Sequence, residues 1–152
     1  GQLRWDVGAG CGSIAIEWMR GARNAQAFAI EKSSKRRDMI QTNSLGLGTP
    51  SLEIIAGAAP DALVGLETPD ATFIGGGLTT SSVLPSCWKA LKSGGRIVAN
   101  AVTLESEAIL IDAQSKFGGE LIKISIDRTR EIGDFHRWKP LAPVTQWQAI
   151  KP

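Results

Sequence analysis

Short apolar runs alternate with stretches of helical period along most of the chain. Leu3 to Val7 reads as a strand, and the glycine-rich turn Gly8 to Gly12 follows it. Ser13 opens a helix whose apolar positions Ile14, Ile16, Trp18 and Met19 suit burial against a sheet. Ala25 to Ile30 reads as the second strand. Ser33 or Ser34 caps the next helix, which runs to about Leu45 and stops at Gly46. Leu52 to Ala56 is a third strand and Asp61 to Val64 a short helix. Ala71 to Ile74 is a fourth strand, running into Gly75, Gly76 and Gly77. A helix over Val83 to Leu91, a strand over Arg96 to Ala101 and a long helix over Leu104 to Phe117 complete the repeating part. Leu121 to Ile126 and Thr145 to Ile150 are the last strands. Between them, residues 127 to 144 contain Gly133, Pro140 and Pro143 and show no helical period.

Alternating strands and helices predict an α/β fold, doubly wound and Rossmann-like, with a mostly parallel seven-stranded sheet. A nicotinamide-binding Rossmann domain reaches its sixth parallel strand through a helix. Here residues 127 to 144 offer none, so the last two strands are expected to form an antiparallel hairpin at the sheet edge. Class I methyltransferases, which use S-adenosyl-L-methionine, end in this way. They also carry a helix ahead of the first strand. This chain begins two residues before it, which predicts a piece of a longer polypeptide or a product that lost its lead segment.

The 152 residues suffice for one domain with its own core. Apolar residues make up 43% and charged residues 21%, and no apolar run is long enough to span a membrane. The N-terminus has no basic segment leading into an apolar run, so no signal peptide is read. Cys11 and Cys87 make no disulfide framework and suit a reducing cytoplasm. The net charge of +2 is too small to imply nucleic-acid binding. The charge is clustered, however. Lys32, Lys35, Arg36 and Arg37 are expected on the solvated face of a helix start. Arg128, Arg130, Arg137 and Lys139 gather near the end, around His136 and Trp138. No group of residues suggests a metal site.

The segment from Asp6 to Ser13 carries the strongest chemical signal. Glycines at 8, 10 and 12 let the backbone turn sharply and bring a ligand against main-chain N–H groups at a helix start. A dinucleotide fingerprint spaces its last two glycines three apart to seat a pyrophosphate. Here the spacing is two and two, and Asp6 precedes the loop. An acid there repels a pyrophosphate but suits the ammonium of a methionine moiety. Glu31 ends the second strand, where a carboxylate can accept hydrogen bonds from both ribose hydroxyls. Asp6, Gly8, Ala9, Gly10, Cys11, Gly12 and Glu31 are therefore expected at the cofactor. Gly57, Ala58 and Ala59 follow the third strand and are expected at the adenine. Many methyltransferases have an acid in place of Ala58, so adenine recognition would rest on backbone and packing.

Methyltransferases that act on amides or nucleobase amines show an Asp or Asn, two prolines and an aromatic residue after the fourth strand. Gly75, Gly76 and Gly77 stand there instead and leave room for a broad, flat substrate.

The stretch from Leu3 to Trp18, with Ala29-Ile30-Glu31, Gly57 to Leu63, Phe73 to Gly77 and the ending His136 to Val144, resembles the precorrin methyltransferases of cobalamin synthesis. Within that family it is most similar to the decarboxylating carbon-15 enzymes, which stand alone or form the C-terminal half of a bifunctional 5,15-methyltransferase. The resemblance implies S-adenosyl-L-methionine as cofactor and a tetrapyrrole as substrate. It implies methylation of a meso carbon with loss of carbon dioxide from a ring acetate. It also implies a cytoplasmic homo-oligomer, with no nucleic acid or membrane as partner and with fusion to a second methyltransferase domain as one form of the parent chain. Substrate contacts are then expected at Gly75, Gly76, Gly77, Arg128, Arg130, His136, Arg137 and Trp138, with the cations facing acetate and propionate groups. His136 and Arg128 are the catalytic candidates. His136, the only histidine, reads equally as a loop residue making a local hydrogen bond.

Two other functions remain open from the residues themselves. One is methylation of RNA or protein, against which the absent proline motif and the weak net charge stand. The other is a noncatalytic cofactor-binding domain that serves assembly.

Overall fold

A computed structural model describes residues 1–152. The expected strand–helix order is present: β1 (Leu3–Val7), α1 (Ser13–Gly21), β2 (Gln26–Glu31), α2 (Ser34–Gly46), β3 (Glu53–Ala56), β4 (Ala71–Ile74), α3 (Val83–Ala90), β5 (Arg96–Ala101) and α4 (Leu104–Phe117). A short 3-10 turn, Asp61–Leu63, replaces the short helix expected after β3. β6 (Glu120–Ile124), β7 (Asp127–Ile132), β8 (Phe135–Pro140) and β9 (Val144–Ile150) complete the chain.

The main sheet has seven strands in the order β3-β2-β1-β4-β5-β9-β6. β1 to β5 are parallel, and β9 runs antiparallel to both β5 and β6. The chain winds outward from β1 through β2 to β3, then crosses back to β4. β1 and β4 therefore flank the reversal of direction, the place where open α/β sheets bind ligands outside their carboxyl ends. The last two sheet strands pair antiparallel at the edge, as the sequence predicts.

Alternation along the strands splits the core. Trp5, Val7, Ile30, Ile74, Ile97, Ala99 and Trp147 face α3 and α4, meeting Leu84, Cys87, Leu110 and Ala113. Ala27 and Ala29 face the other way and pack with Ala15, Ile16 and Ile40 of α1 and α2. The buried indoles keep their polar atoms satisfied: Trp5 Nε1 donates to the Glu67 carbonyl at 3.1 Å and Trp147 Nε1 to that of Gly118 at 2.9 Å. No helix is long and apolar enough to cross a membrane.

The excursion after β6 departs from expectation. Residues 127 to 144 were expected as a long irregular connection, but β7 and β8 pair over six residues each, joined by the tight turn Gly133-Asp134. Every residue of both strands is exposed. A polar hairpin of this kind has no apolar alternation to betray it. Its only local signal is a Gly-Asp turn between two extended stretches.

Candidate functional site

The glycine loop is shaped by two carboxylates. Gly12 holds a left-handed conformation (φ 84°) just before α1, and no side chain of its own segment caps that helix. Ser13 is the first helical residue, as the sequence predicts. The cap comes from β1: Asp6 Oδ2 accepts the Ala15 N–H at 3.0 Å, which a capping Asp would otherwise do from within the turn. Asp6 is 1% exposed. Burial pushes its carboxyl up to about 6, against the opposing pull of the Ala15 hydrogen bond and the nearby Arg4 guanidinium. Asp6 thus lies beneath the loop, bonded to the helix, and does not line the cleft above it.

Glu31 is the second support. Its Oε2 accepts the Gly10 N–H at 2.9 Å and its Oε1 the Ser33 N–H at 2.9 Å. The Gly8 and Ala9 N–H groups both donate to the Ile30 carbonyl, at 3.0 and 3.1 Å, and the Gly12 N–H to that of Ala9 at 2.9 Å. This corrects the expectation that loop N–H groups face a ligand, because the amides of Gly8, Ala9, Gly10 and Gly12 are already engaged. An anion such as a pyrophosphate finds none of these donors free. The Glu31 carboxylate accepts one bond at each oxygen, which leaves each with a further lone pair. The donor set thus favours a ligand that brings hydroxyl or amine hydrogens.

A cleft of about 270 Å³ opens at the carboxyl ends of β1, β2 and β4. Glu31 and Gly8 line it together with Gly57, Ala58 and Ala59 after β3 and Gly75, Gly76 and Gly77 after β4. Ala9, Gly10, Cys11 and Gly12 shape the loop behind Gly8 and lie outside that lining. Cys11 is exposed, and its carbonyl accepts from Asn43 Nδ2 at 3.0 Å. The two glycine segments touch directly: a Cβ on Gly8 would stand 2.8 Å from Gly76 Cα. The loop after β1 packs this closely against the loop after β4 because Gly8 lacks a side chain at that point.

Lys32, Arg36 and Thr80 also line the cleft, and sequence reasoning assigned none of them. Lys32 and Arg36 were expected on a merely solvated helix face. The neighbouring Arg37 explains the difference. Its Nη1 donates to the Glu31 and Lys32 carbonyls at 3.0 and 2.7 Å, and Ser33 Oγ accepts the Arg36 N–H. These bonds hold the start of α2 against the end of β2, so the helix begins at the cleft.

The hairpin residues are placed differently. Register carries Val7 across Ile74 and Ala99 to Trp147 and Leu121, so the hairpin leaves the sheet at the same end as the glycine loop. None of its residues lines the cleft. Pairing also separates the expected substrate residues. Arg128 faces Lys139 and Arg130 faces Arg137 on one side, while His136 and Trp138 lie on the other with Glu131 and Thr129. A single surface carrying the arginines, His136 and Trp138 together is ruled out by the two-residue period.

The model of the precorrin methyltransferase domain family matches residues 1–151. Over 151 residues the chain is 49% identical to a decarboxylating precorrin-6Y C(5,15)-methyltransferase of Sinorhizobium sp., covering 99% of this chain and 37% of that protein. It is 31% identical to a cobalt-precorrin-6B C(15)-methyltransferase (decarboxylating) of Methanosarcina acetivorans, covering 91% of this chain and 77% of the relative. The solved C-terminal domain of precorrin-6Y C5,15-methyltransferase from Rhodobacter capsulatus superposes with a TM-score of 0.92 at 38% identity, covering 99% of this chain and 81% of that one. The chain thus spans little more than a third of the Sinorhizobium protein and about three quarters of the Methanosarcina one.

Proposed function

The chain belongs to the precorrin methyltransferase domain family, and from that membership we propose that it methylates a meso carbon of a precorrin, carbon 15, with loss of carbon dioxide from a ring acetate. The observation that carries the reading is Glu31, held by the Gly10 and Ser33 amides in a cleft whose other wall is Gly75 to Gly77. The cofactor of this reading is S-adenosyl-L-methionine. Glu31 meets its ribose hydroxyls, and Ala58 and Ala59 pack against its adenine. Bound there, it supplies an electrophilic methyl group on a sulfonium.

The chain's own part is positioning. The bare backbone of Gly75 to Gly77 lets a flat conjugated ring approach, and an enamine-like ring carbon is already nucleophilic. Alignment therefore contributes more than a strong base. When the carboxyl group leaves, the conjugated ring takes up the electron pair.

The domain reading also extends beyond these residues. The Sinorhizobium relative is far longer than this chain, which supports a parent polypeptide with a further domain. Homo-oligomerisation is supported by the open edges of the hairpin and its exposed Trp138.

The test is to incubate the protein with S-adenosyl-L-methionine and an early precorrin and weigh the product. One methyl gained and one carbon dioxide lost supports the reading. Methylation of RNA or protein in place of the tetrapyrrole refutes it.

A further inference from the structure

The β7–β8 hairpin has two unlike faces. On one, the cross-strand pairs are Arg128 with Lys139, Arg130 with Arg137 and, at the tip, Ile132 with Phe135. Directly opposed side chains in an antiparallel pair start about 5 Å apart at Cβ, and like charges so placed are destabilising. The sequence puts cation opposite cation twice in succession, and none of these side chains forms an ion pair within the chain. At the tip the same face bears Ile132 at 55% and Phe135 at 76% exposure. The opposite face is mixed, with Asp127, Thr129 and Glu131 among its members.

An all-cation ladder beneath an apolar tip is a poor surface for water alone. It matches a ligand that is itself divided, flat and apolar in the middle and anionic at its rim. The dimensions agree. Same-face residues two apart along a strand lie about 7 Å apart, so the cation pairs stand about 7 and 14 Å from the Ile132–Phe135 pair. The nearer spacing, to the Arg130–Arg137 pair, is the span from the centre of a large conjugated ring to carboxylates on short flexible arms, and the long side chains of Arg128 and Lys139 can reach back toward the same rim. Arginine pairs such carboxylates in a bidentate fork, and an exposed ring such as Phe135 stacks on a conjugated plane.

We propose that the Arg128, Arg130, Ile132, Phe135, Arg137 and Lys139 face of the hairpin is a capture surface for a planar macrocycle with peripheral carboxylates. It rests on the tetrapyrrole reading above and adds to it which face binds and which aromatic residue stacks. Phe135, and not Trp138, is the aromatic residue on this face. The hairpin leaves the outermost strand at the same end of the sheet as the cleft, so a ligand captured there is held on the side of the molecule where the site opens.

The experiment is calorimetric titration of the whole chain with uroporphyrin, a planar tetrapyrrole with carboxylate arms on every ring. A porphyrin bearing quaternary ammonium arms and a single-stranded oligonucleotide are titrated in parallel. We expect uroporphyrin to bind, more weakly as salt rises, and the cationic porphyrin not to bind. Arg130→Ser with Arg137→Ser should weaken binding at least tenfold and Phe135→Ser several-fold. Trp138→Ser and Glu131→Gln, on the other face, should leave affinity within twofold. The hairpin makes no part of the core, so unchanged thermal unfolding will show that these variants fold. Binding that survives loss of both arginines overturns the proposal, as does binding that is lost with Trp138 instead. Tighter binding of the oligonucleotide also overturns it. Failure of methyl transfer with intact face-specific capture would count against the catalytic reading alone.

Discussion

The Glu31 carboxylate accepts the Gly10 amide at 2.9 Å, so the acid that ends β2 and the middle of the loop after β1 form one unit. The same carboxylate holds the Ser33 amide at the start of α2. One side chain thus ties together two turns of the cleft, and its outward lone pairs inherit the rigidity of both.

Replacing Glu31 by alanine should weaken S-adenosyl-L-methionine binding by about 1–3 kcal/mol, the usual loss for hydrogen bonds to a charged group. The Gly10 and Ser33 amides lose their acceptor as well, so the melting temperature should also fall. Glu31→Gln keeps one carbonyl acceptor and should recover part of both. Calorimetry and thermal unfolding check this, and unchanged affinity in the alanine variant would remove Glu31 from the cofactor site. Nicotinamide dinucleotides should not bind, since the amides of Gly8, Ala9, Gly10 and Gly12 that would face a pyrophosphate are bonded within the chain.

Asp6 predicts a pH dependence of stability. Its folded-state value is raised from 3.8 to about 6, chiefly by burial. The folded state therefore binds the proton more tightly than the unfolded chain. Stability from this group is full below about pH 4 and is lost as pH rises through 6, by up to about 3 kcal/mol. Asp6→Asn keeps an acceptor for the Ala15 amide and removes the titration. Urea unfolding from pH 4 to pH 7 should show the variant gaining on the parent as pH rises. A constant difference across that range would place the charge of Asp6 elsewhere.

Arg36 makes no side-chain hydrogen bond or ion pair, yet it lines the cleft beside Lys32. A positive wall is a poor neighbour for a sulfonium, so the neutral adenosine end of the cofactor should lie against it. Arg36→Ala should then weaken S-adenosyl-L-methionine and its uncharged thioether product by the same factor, about 0.5–1 kcal/mol for an exposed guanidinium stacked on a ring. Unequal factors would place the sulfonium near Arg36. Unchanged cofactor affinity with a raised KM for the tetrapyrrole would assign Arg36 to the substrate.

The strand and helix order was legible because each buried strand is an apolar run closed by turn residues, and each helix has its cap or stop. Glu31 and the glycine triplet were legible for a related reason: their positions follow directly from where β2 and β4 end. The amide bonding of the loop was not legible. Whether Gly8 to Gly10 donate to a ligand or to Ile30 and Glu31 depends on how two strand ends sit side by side, and spacing along one strand does not carry that. Lys32 and Arg36 were misread because a charge run at a helix start looks alike whether the helix points at solvent or at a cleft. The Arg37 bonds to two carbonyls decide it. The hairpin was missed as strands because, with both faces in water, polar residues fill both phases of its alternation.

Gly76 offers the sharpest separation of cofactor from substrate. A Cβ there would lie 3.7 Å from Gly8 Cα, an ordinary contact, whereas a Cβ on Gly8 would lie 2.8 Å from Gly76 Cα and force the loops apart. The two glycines face each other, yet only Gly76 tolerates a small side chain. Gly76→Ala should therefore fold and bind S-adenosyl-L-methionine nearly as the parent does. Gly76→Leu should extend into the space above the β4 end, where the flat substrate is to lie, and lower methyl transfer by far more than it lowers cofactor affinity. Gly8→Ala should behave in the opposite way, losing cofactor binding and stability together, because its φ of 71° strains any L side chain in addition to the clash. Measuring cofactor affinity, melting temperature and product mass on all three variants tests the assignment. Should Gly76→Leu lose cofactor and activity in equal measure, the β4 glycines would belong to the cofactor pocket and the substrate would have to approach from another side.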